Sequence, residues 1–205
     1  MEKRRAVIFD WGGVLMRTQN YAPRLAWDKR LGLAPGSVER IVHGIPEWRQ
    51  AQLGTIAPQV YWQAVAQRLG LSAAEAAALR HDFYSGDQLD EALVALIRDV
   101  RTWGAHIGLL SNNTLDLRRE ITSLGLDGLF DACVISAEIG AMKPEEAAYR
   151  AILNRLQVHP QQALLIDDSV ENVAGAWAVG MQAVRFMPQI DLRALLEAWW
   201  SKQHG

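Results

Sequence analysis

Asp10, Ser111-Asn112, Lys143 and the pair Asp167-Asp168 are the residues whose types could do chemistry together, and each stands just beyond a short apolar run. Crowded carboxylates repel one another unless a cation sits among them, and hard oxygen ligands suit Mg²⁺. A divalent ion and the Lys143 ammonium would keep Asp10 ionised, because opposite charges favour the charged form. An ionised carboxylate can attack phosphorus and form an aspartyl-phosphate. The Ser111 hydroxyl, nearby backbone N–H groups and Lys143 would then hold the phosphoryl oxygens and offset charge in the transition state. The chemistry these groups suggest is hydrolysis of a small phosphate ester.

Such groups act together only if the fold brings them to one place. Five apolar runs, at 6–9, 106–110, 132–135, 163–166 and 183–186, read as buried strands. They lack strict alternation, as expected of a sheet covered on both faces. Helical patterns lie between the later runs. Leu89, Leu93, Leu96, Val100 and Trp103 step by three or four, with Gly104 as a cap. Pro144 followed by Glu145 and Glu146 reads as the first turn of another helix. Two more are expected over 169–179 and 190–201. Alternating strands and helices predict an α/β fold with a doubly wound, parallel, five-stranded sheet. Ligands bind such sheets at the carboxyl ends of the strands, where these polar residues fall.

About 95 residues separate the first two runs, far more than one crossover needs. Within that stretch Trp62, Val65 and Leu69 share a face, and Ser72 with Glu75 forms a capping box. Glycines and prolines divide it into four or five short helices. Residues 17–83 are therefore expected to form a small helical cap domain, inserted into a core made of 1–16 and 84–205.

Composition narrows the function. Lys and Arg number 21 and Asp and Glu 23, a net charge of −2 with no long run of one sign, so no nucleic-acid surface is suggested. Cys133 is the only cysteine, which excludes an internal disulfide and fits a reducing cytoplasm. The apolar stretch after the charged N-terminus is too short for a signal peptide. No run approaches the roughly 18 apolar residues of a membrane helix. The chain is expected to be a cytoplasmic monomer or homodimer.

Four segments, Phe9-Asp10-Trp11-Gly12-Gly13-Val14-Leu15, Leu109-Leu110-Ser111-Asn112, Gly140-Ala141-Met142-Lys143-Pro144-Glu145 and Ile166-Asp167-Asp168-Ser169, the last followed by Glu171-Asn172 and Gly175, occur in this order. Together they resemble the motifs of the haloacid dehalogenase superfamily, and the inserted helices resemble its subgroup with a helical cap, which includes sugar-phosphate phosphatases. The resemblance implies a Rossmann-like core. It implies Asp10 as nucleophile and metal ligand, with the Gly12 carbonyl as a second ligand. Ser111 and the Asn112 amide would bind phosphate, and Lys143 would steady nucleophile and phosphate. Asp168 would ligate Mg²⁺ directly, with Asp167 as ligand or supporting partner. The turn from Ser136 to Glu138 has no firm assignment.

Gly12 departs from the pattern. Many phosphatases of this superfamily carry an aspartate there that protonates the leaving alkoxide and activates water, and losing such a group costs about 10² to 10⁴ in rate. Two other readings fit the same residues. A dehalogenase would need neither that proton nor Mg²⁺, although the Asp167-Asp168 pair argues against it; a non-catalytic member would bind a phosphorylated ligand. Among the remaining residues, Cys133 and Trp62, Trp103 and Trp177 read as core, as does the stripe ending in Trp199-Trp200. The histidines show no ligand spacing: His43, His81, His159 and His204 read as surface or packing residues, and His106 as a strand edge. Tyr21, Trp27 and Trp48 are candidates to line the substrate entrance.

Overall fold

The computed structural model describes residues 4–201, so His204 lies outside the described residues. Its centre is a five-stranded parallel sheet. The strands are β1 (Ala6–Phe9), β4 (His106–Ser111), β5 (Ala132–Ile135), β6 (Ala163–Asp167) and β7 (Gln182–Arg185), in the order β5-β4-β1-β6-β7. β1 is central, with Phe9 level with Leu109 on one side and Ile166 on the other. That register ends β1, β4 and β6 together, so the residues that follow Phe9, Leu110 and Ile166 share one edge. Helices cover both faces. Ile8, Leu110, Val134 and Leu165 pack with Ile152 and Leu156 of α9 (Glu146–Leu156) on one face. Val7, Phe9, Ile107 and Ile166 pack on the other with Val94 and Ile97 of α6 (Glu91–Thr102) and with Leu196 and Trp199 of α11 (Leu192–Ser201). Strands buried on both faces explain the unbroken apolar runs in the sequence.

The long first connection holds, ahead of α6, a two-stranded ribbon and five helices. β2 (Met16–Thr18) and β3 (Asp87–Leu89) pair antiparallel, Thr18 opposite Asp87. Between them run α1 (Ala22–Arg30), α2 (Ser37–Gly44), α3 (Pro46–Gln52), α4 (Pro58–Leu69) and α5 (Ala73–Tyr84). These helices enclose their own apolar cluster, with Trp27, Val42, Tyr61, Val65 and Phe83 at its centre. The Ser72–Glu75 capping box opens α5 as the sequence suggests.

The ribbon was not legible as strands. Leu89 fits the helical stepping of its successors, but it lies in β3, and Asp90 caps α6 by accepting from the Leu93 N–H at 3.0 Å. The ribbon is fastened by Arg24, a buried residue of α1. Its guanidinium donates to the Phe83 carbonyl (2.8 Å), the Thr18 hydroxyl (2.8 Å), Asp87 (2.8 Å) and Glu39 (3.0 Å). Both chain crossings between the five helices and the sheet therefore meet at one satisfied cation.

Three further expectations are corrected. Pro144 does not open a helix: it sits in a turn closed by the Glu145 N–H on the Met142 carbonyl (2.8 Å), and α9 begins at Glu146. Trp177 of α10 (Val170–Ala178) is 59% exposed rather than core, because its face of the helix looks outward past β7. Trp27 lies within the helical cluster, with its indole N–H on Asp82 (2.9 Å), away from the substrate entrance. No helix among the described residues is long and apolar enough to cross a membrane.

One unforeseen support is Asp28, which is buried and accepts from the N–H groups of Gly36 (2.6 Å) and Val38 (2.7 Å) at the start of α2. Asp28→Ala strands two backbone donors. Hydrogen bonds to a charged acceptor contribute about 1.5–3 kcal/mol each. We expect Asp28→Ala to lower stability by about 3–6 kcal/mol in denaturant unfolding; a loss within the error of such curves would show that water replaces the carboxylate.

Candidate active site

Asp10 follows β1 at the point where the chain leaves the sheet. Its N–H still donates to the Ile166 carbonyl (2.9 Å), which continues the ladder one residue past the strand. The side chain is nearly buried; its Oδ1 accepts from the Trp11 N–H (2.7 Å) and lies 2.9 Å from the Lys143 ammonium. Lys143 is 1% exposed and also donates to Asp167 Oδ2 at 2.5 Å. A carboxyl oxygen from each of Asp10, Asp167 and Asp168 lies within 4.8 Å of the others. All three carboxylates and the lysine singled out in the sequence are thus brought together.

The electrostatics are dominated by burial. Loss of water pushes the Asp10 carboxyl up to about 7, the pull of Lys143 is the largest opposing influence, and Asp167 pushes it further up. Asp168 is also raised, first by burial and then by Asp167. Lys143 is raised despite its burial, because Asp10 and Asp167 hold its charge. One ammonium does not balance three carboxylates.

The roles of the three carboxylates differ. Asp167 is saturated: Oδ1 accepts from the Ser169 N–H (3.0 Å) and Asn172 Nδ2 (3.0 Å), and Oδ2 from Lys143 and from Asn172 (3.2 Å). The Asp168 side chain makes no ion pair among the described residues. Nor does it cap α10, since Ser169 does so by accepting from the Asn172 N–H. Asn172 was in the sequence motif without a role; its place one helical turn beyond Asp167 is the signal for it.

Asn112 supports the lysine. Its Oδ1 accepts from the Lys143 N–H and its Nδ2 donates to the Lys143 carbonyl, both at 2.8 Å. The side-chain amide therefore positions Lys143 and is not open to a ligand. Ser111, at the end of β4, lines the same chamber as Asp10. Ser136 holds the neighbouring loop, its hydroxyl accepting from the Asn113 N–H (3.0 Å) and donating to the Asn113 carbonyl (3.2 Å). The segment expected as a turn is a short helix, α8 (Ser136–Ile139), whose Glu138 pairs with Arg118 (2.7 Å).

Gly12 and Gly13 are unlike each other. Gly13 has φ +77°, and a Cβ there would lie 2.1 Å from Asp168 Oδ2. Only glycine allows the loop after Asp10 to pass this close to the second acidic segment. Gly12 is outside the positive-φ region, and a Cβ there would touch nothing within 4 Å.

A chamber of about 870 Å³ opens above Asp10 between the sheet edge and the five helices. Tyr21 and Trp48 line it as the sequence suggested; His43, Arg80 and Tyr84 line it as well. The His43 ring lies tilted against Trp48, centroids 5.3 Å apart, and burial lowers its pKa. The helices are tied to the sheet edge by Gln52 on the Asn112 carbonyl (2.9 Å) and by Arg80 of α5 on Asp116 (2.6 Å), at the start of α7 (Asp116–Ser123).

This arrangement can be compared with known proteins. The chain is 32% identical over 193 residues to a phosphoglycolate phosphatase of Cereibacter sphaeroides, covering 88% of this chain and 84% of that one. It is 26% identical over 178 residues to a sesquiterpene phosphatase of Aspergillus oryzae, covering 86% and 87%. Other curated phosphatases match over only 41% and 37% of their length. A haloacid dehalogenase family enzyme from Bacteroides thetaiotaomicron, solved with magnesium and inorganic phosphate, superposes with a TM-score of 0.78 at 19% identity, covering 94% of this chain and 98% of that chain. The fold is therefore shared even where sequence has diverged. The model of the haloacid dehalogenase-like hydrolases matches residues 4–180, a span that holds the whole sheet edge from Asp10 to Asn172, and the chain belongs to that family.

Proposed function

We propose that this protein is a Mg²⁺-dependent phosphatase of small phosphomonoesters that works through an aspartyl-phosphate on Asp10. One observation carries the reading: Asp10, Asp167 and Asp168 gather their oxygens within 4.8 Å around a single buried ammonium. Three negative charges against one leave the cluster short by the charge of one divalent cation. The donors are hard oxygens, which suits Mg²⁺. Asp10 takes its hydrogen bonds on Oδ1, and Asp168 has no ion-pair partner among the described residues, so these two carboxylates fit direct ligation, with the Gly12 carbonyl as a further donor. Asp167, already saturated, fits the support of Lys143. Relatives named as phosphatases agree with the reading, as does the magnesium and phosphate bound by the Bacteroides enzyme. A dehalogenase would leave the Asp168 charge without purpose.

Bound Mg²⁺ would supply positive charge that keeps Asp10 ionised and offsets charge on the phosphoryl group. Asp10 attacks phosphorus, and the bond from phosphorus to the alcohol oxygen breaks. Ser111, the Asn112 backbone amide and Lys143 hold the phosphoryl oxygens. Water then attacks phosphorus, which frees Asp10 and releases phosphate. Residues 17–83 serve as the cap that closes over the site, with 1–16 and 84–205 as the core that holds it.

Two tests follow from this site. Because Asp10 is raised to about 7, its folded form prefers the proton, and the carboxylate costs stability increasingly as pH rises from about 4 through 7. Mg²⁺ must displace that proton, so its affinity should fall about tenfold per unit below pH 7, or about 100-fold at pH 5. Titration calorimetry of Mg²⁺ from pH 5 to 8 checks this, and an affinity that does not change with pH would remove the metal from Asp10. The second test uses Gly12, which has no side chain to protonate the departing alkoxide. An aryl phosphate should outrun an alkyl phosphate by about 10² or more. Gly12→Asp should narrow that gap, since the site has room for the side chain and no positive φ. Equal rates for both esters in the unaltered enzyme would mean that another group donates the proton.

A further inference from the structure

We propose that the alcohol carried by the substrate is uncharged and apolar, and that it rests against Tyr21, Trp48, Trp62 and Tyr84 in the chamber above Asp10. The proposal rests on the phosphoester reading and adds the class of leaving group. It follows from which charges in the chamber are already claimed. Arg24 is spent on Asp87, Glu39, Thr18 and the Phe83 carbonyl. Arg80 is paired with Asp116, and Arg17 with Asp90. Lys143 is held by Asp10 and Asp167. No guanidinium in the chamber is left unpaired for a second anionic group on the substrate.

The unclaimed charge has the opposite sign. Glu120 of α7 lines the chamber and makes no ion pair among the described residues; its partner is the Trp11 side chain, and Asp87 and Asp116 stand near it. A substrate carboxylate or second phosphate would enter against these carboxylates. What the walls offer instead is aromatic surface. Tyr21 is 49% exposed and Tyr84 41%. The Trp62 and Tyr84 rings meet edge to face at 6.0 Å, and the His43 ring, lowered in pKa by burial, lies tilted against Trp48. The volume, about 870 Å³, suits an organic group of moderate size. Trp62, Arg80 and Tyr84 also border a groove of about 970 Å³ along α4 and α5, so a longer hydrocarbon has apolar surface beyond the chamber.

Non-hydrolysable phosphonates separate this from leaving-group reactivity, because no bond is broken. The Mg²⁺-loaded protein is titrated with benzylphosphonate, phosphonoacetate and 2-aminoethylphosphonate, with inorganic phosphate as reference. We expect benzylphosphonate to bind about tenfold or more tighter than phosphate, from burial of the ring, and phosphonoacetate to bind more weakly than phosphate. Glu120→Gln, which removes the unpaired charge with little change of shape, should raise phosphonoacetate affinity relative to benzylphosphonate several-fold. Phosphonoacetate or 2-aminoethylphosphonate binding tightest, or all three binding alike while phosphate binds, would overturn the apolar assignment and leave the phosphoester reading standing. Failure of phosphate and every phosphonate to bind would overturn both.

Discussion

The buried Lys143 ammonium, 2.5 Å from Asp167 and 2.9 Å from Asp10, is the contact on which the rest of this site depends. Neither carboxylate could be taken out of water without it, and removing one partner of a buried ion pair typically costs about 3–5 kcal/mol. The surrounding structure is arranged to hold that nitrogen in place. Asn112 grips the Lys143 backbone from both sides, Asn172 and the Ser169 N–H fix Asp167, and the ladder hydrogen bond from Asp10 to Ile166 fixes the first carboxylate. The ammonium is still insufficient, because burial outweighs it and leaves Asp10 near 7. A site that must present an ionised carboxylate at neutral pH therefore needs a second cation, and Asp168 is the group beside it with no cation of its own.

The sheet was legible because its strands are buried on both faces, so Val7, Ile8, Leu109, Leu110, Leu164 and Leu165 leave an unbroken apolar signal. The site was legible because its polar residues interrupt that signal at the strand ends. Other features left no such mark. The three-residue strands of the ribbon are too short to show alternation, and Leu89 happens to continue the helical stepping of Leu93 and Leu96. Pro144 carries a helix-opening signature, but the clamp on Lys143 and the turn after it delay the helix to Glu146. Trp177 is apolar at helical spacing, yet it stays mostly exposed, with its indole N–H on the Ala183 carbonyl of β7. Asn112 acts through geometry across 31 residues, which spacing alone does not reveal.

The chamber and Gly12 bear on one another. An enzyme that presents no acid at position 12 depends on the substrate or on water for the proton that leaves with the alcohol. Its walls present Tyr21, Trp48, Trp62 and Tyr84, and its guanidinium groups are paired with the protein's own carboxylates, so they offer little to a second anion. On the proposed reading, selectivity would come from shape and apolar contact, with the phosphoryl group held by Ser111 and Lys143. The buried Arg24 at the ribbon holds the five helices over the sheet edge, with Gln52 and Arg80 as further ties. The chamber's dimensions are thus set by polar contacts that the substrate need not touch.

The central claim is that Asp10 carries the phosphoryl group between its two transfers. Without an acid–base residue at position 12 the second transfer is slow, and the covalent form should accumulate. Rapid acid quenching of the Mg²⁺-loaded enzyme with an aryl phosphate, followed by peptide mass spectrometry, tests this directly. The account predicts a peptide containing Asp10 heavier by one phosphoryl group, absent from Asp10→Asn. An organic ester on Asp10, or full turnover in Asp10→Asn, would contradict it.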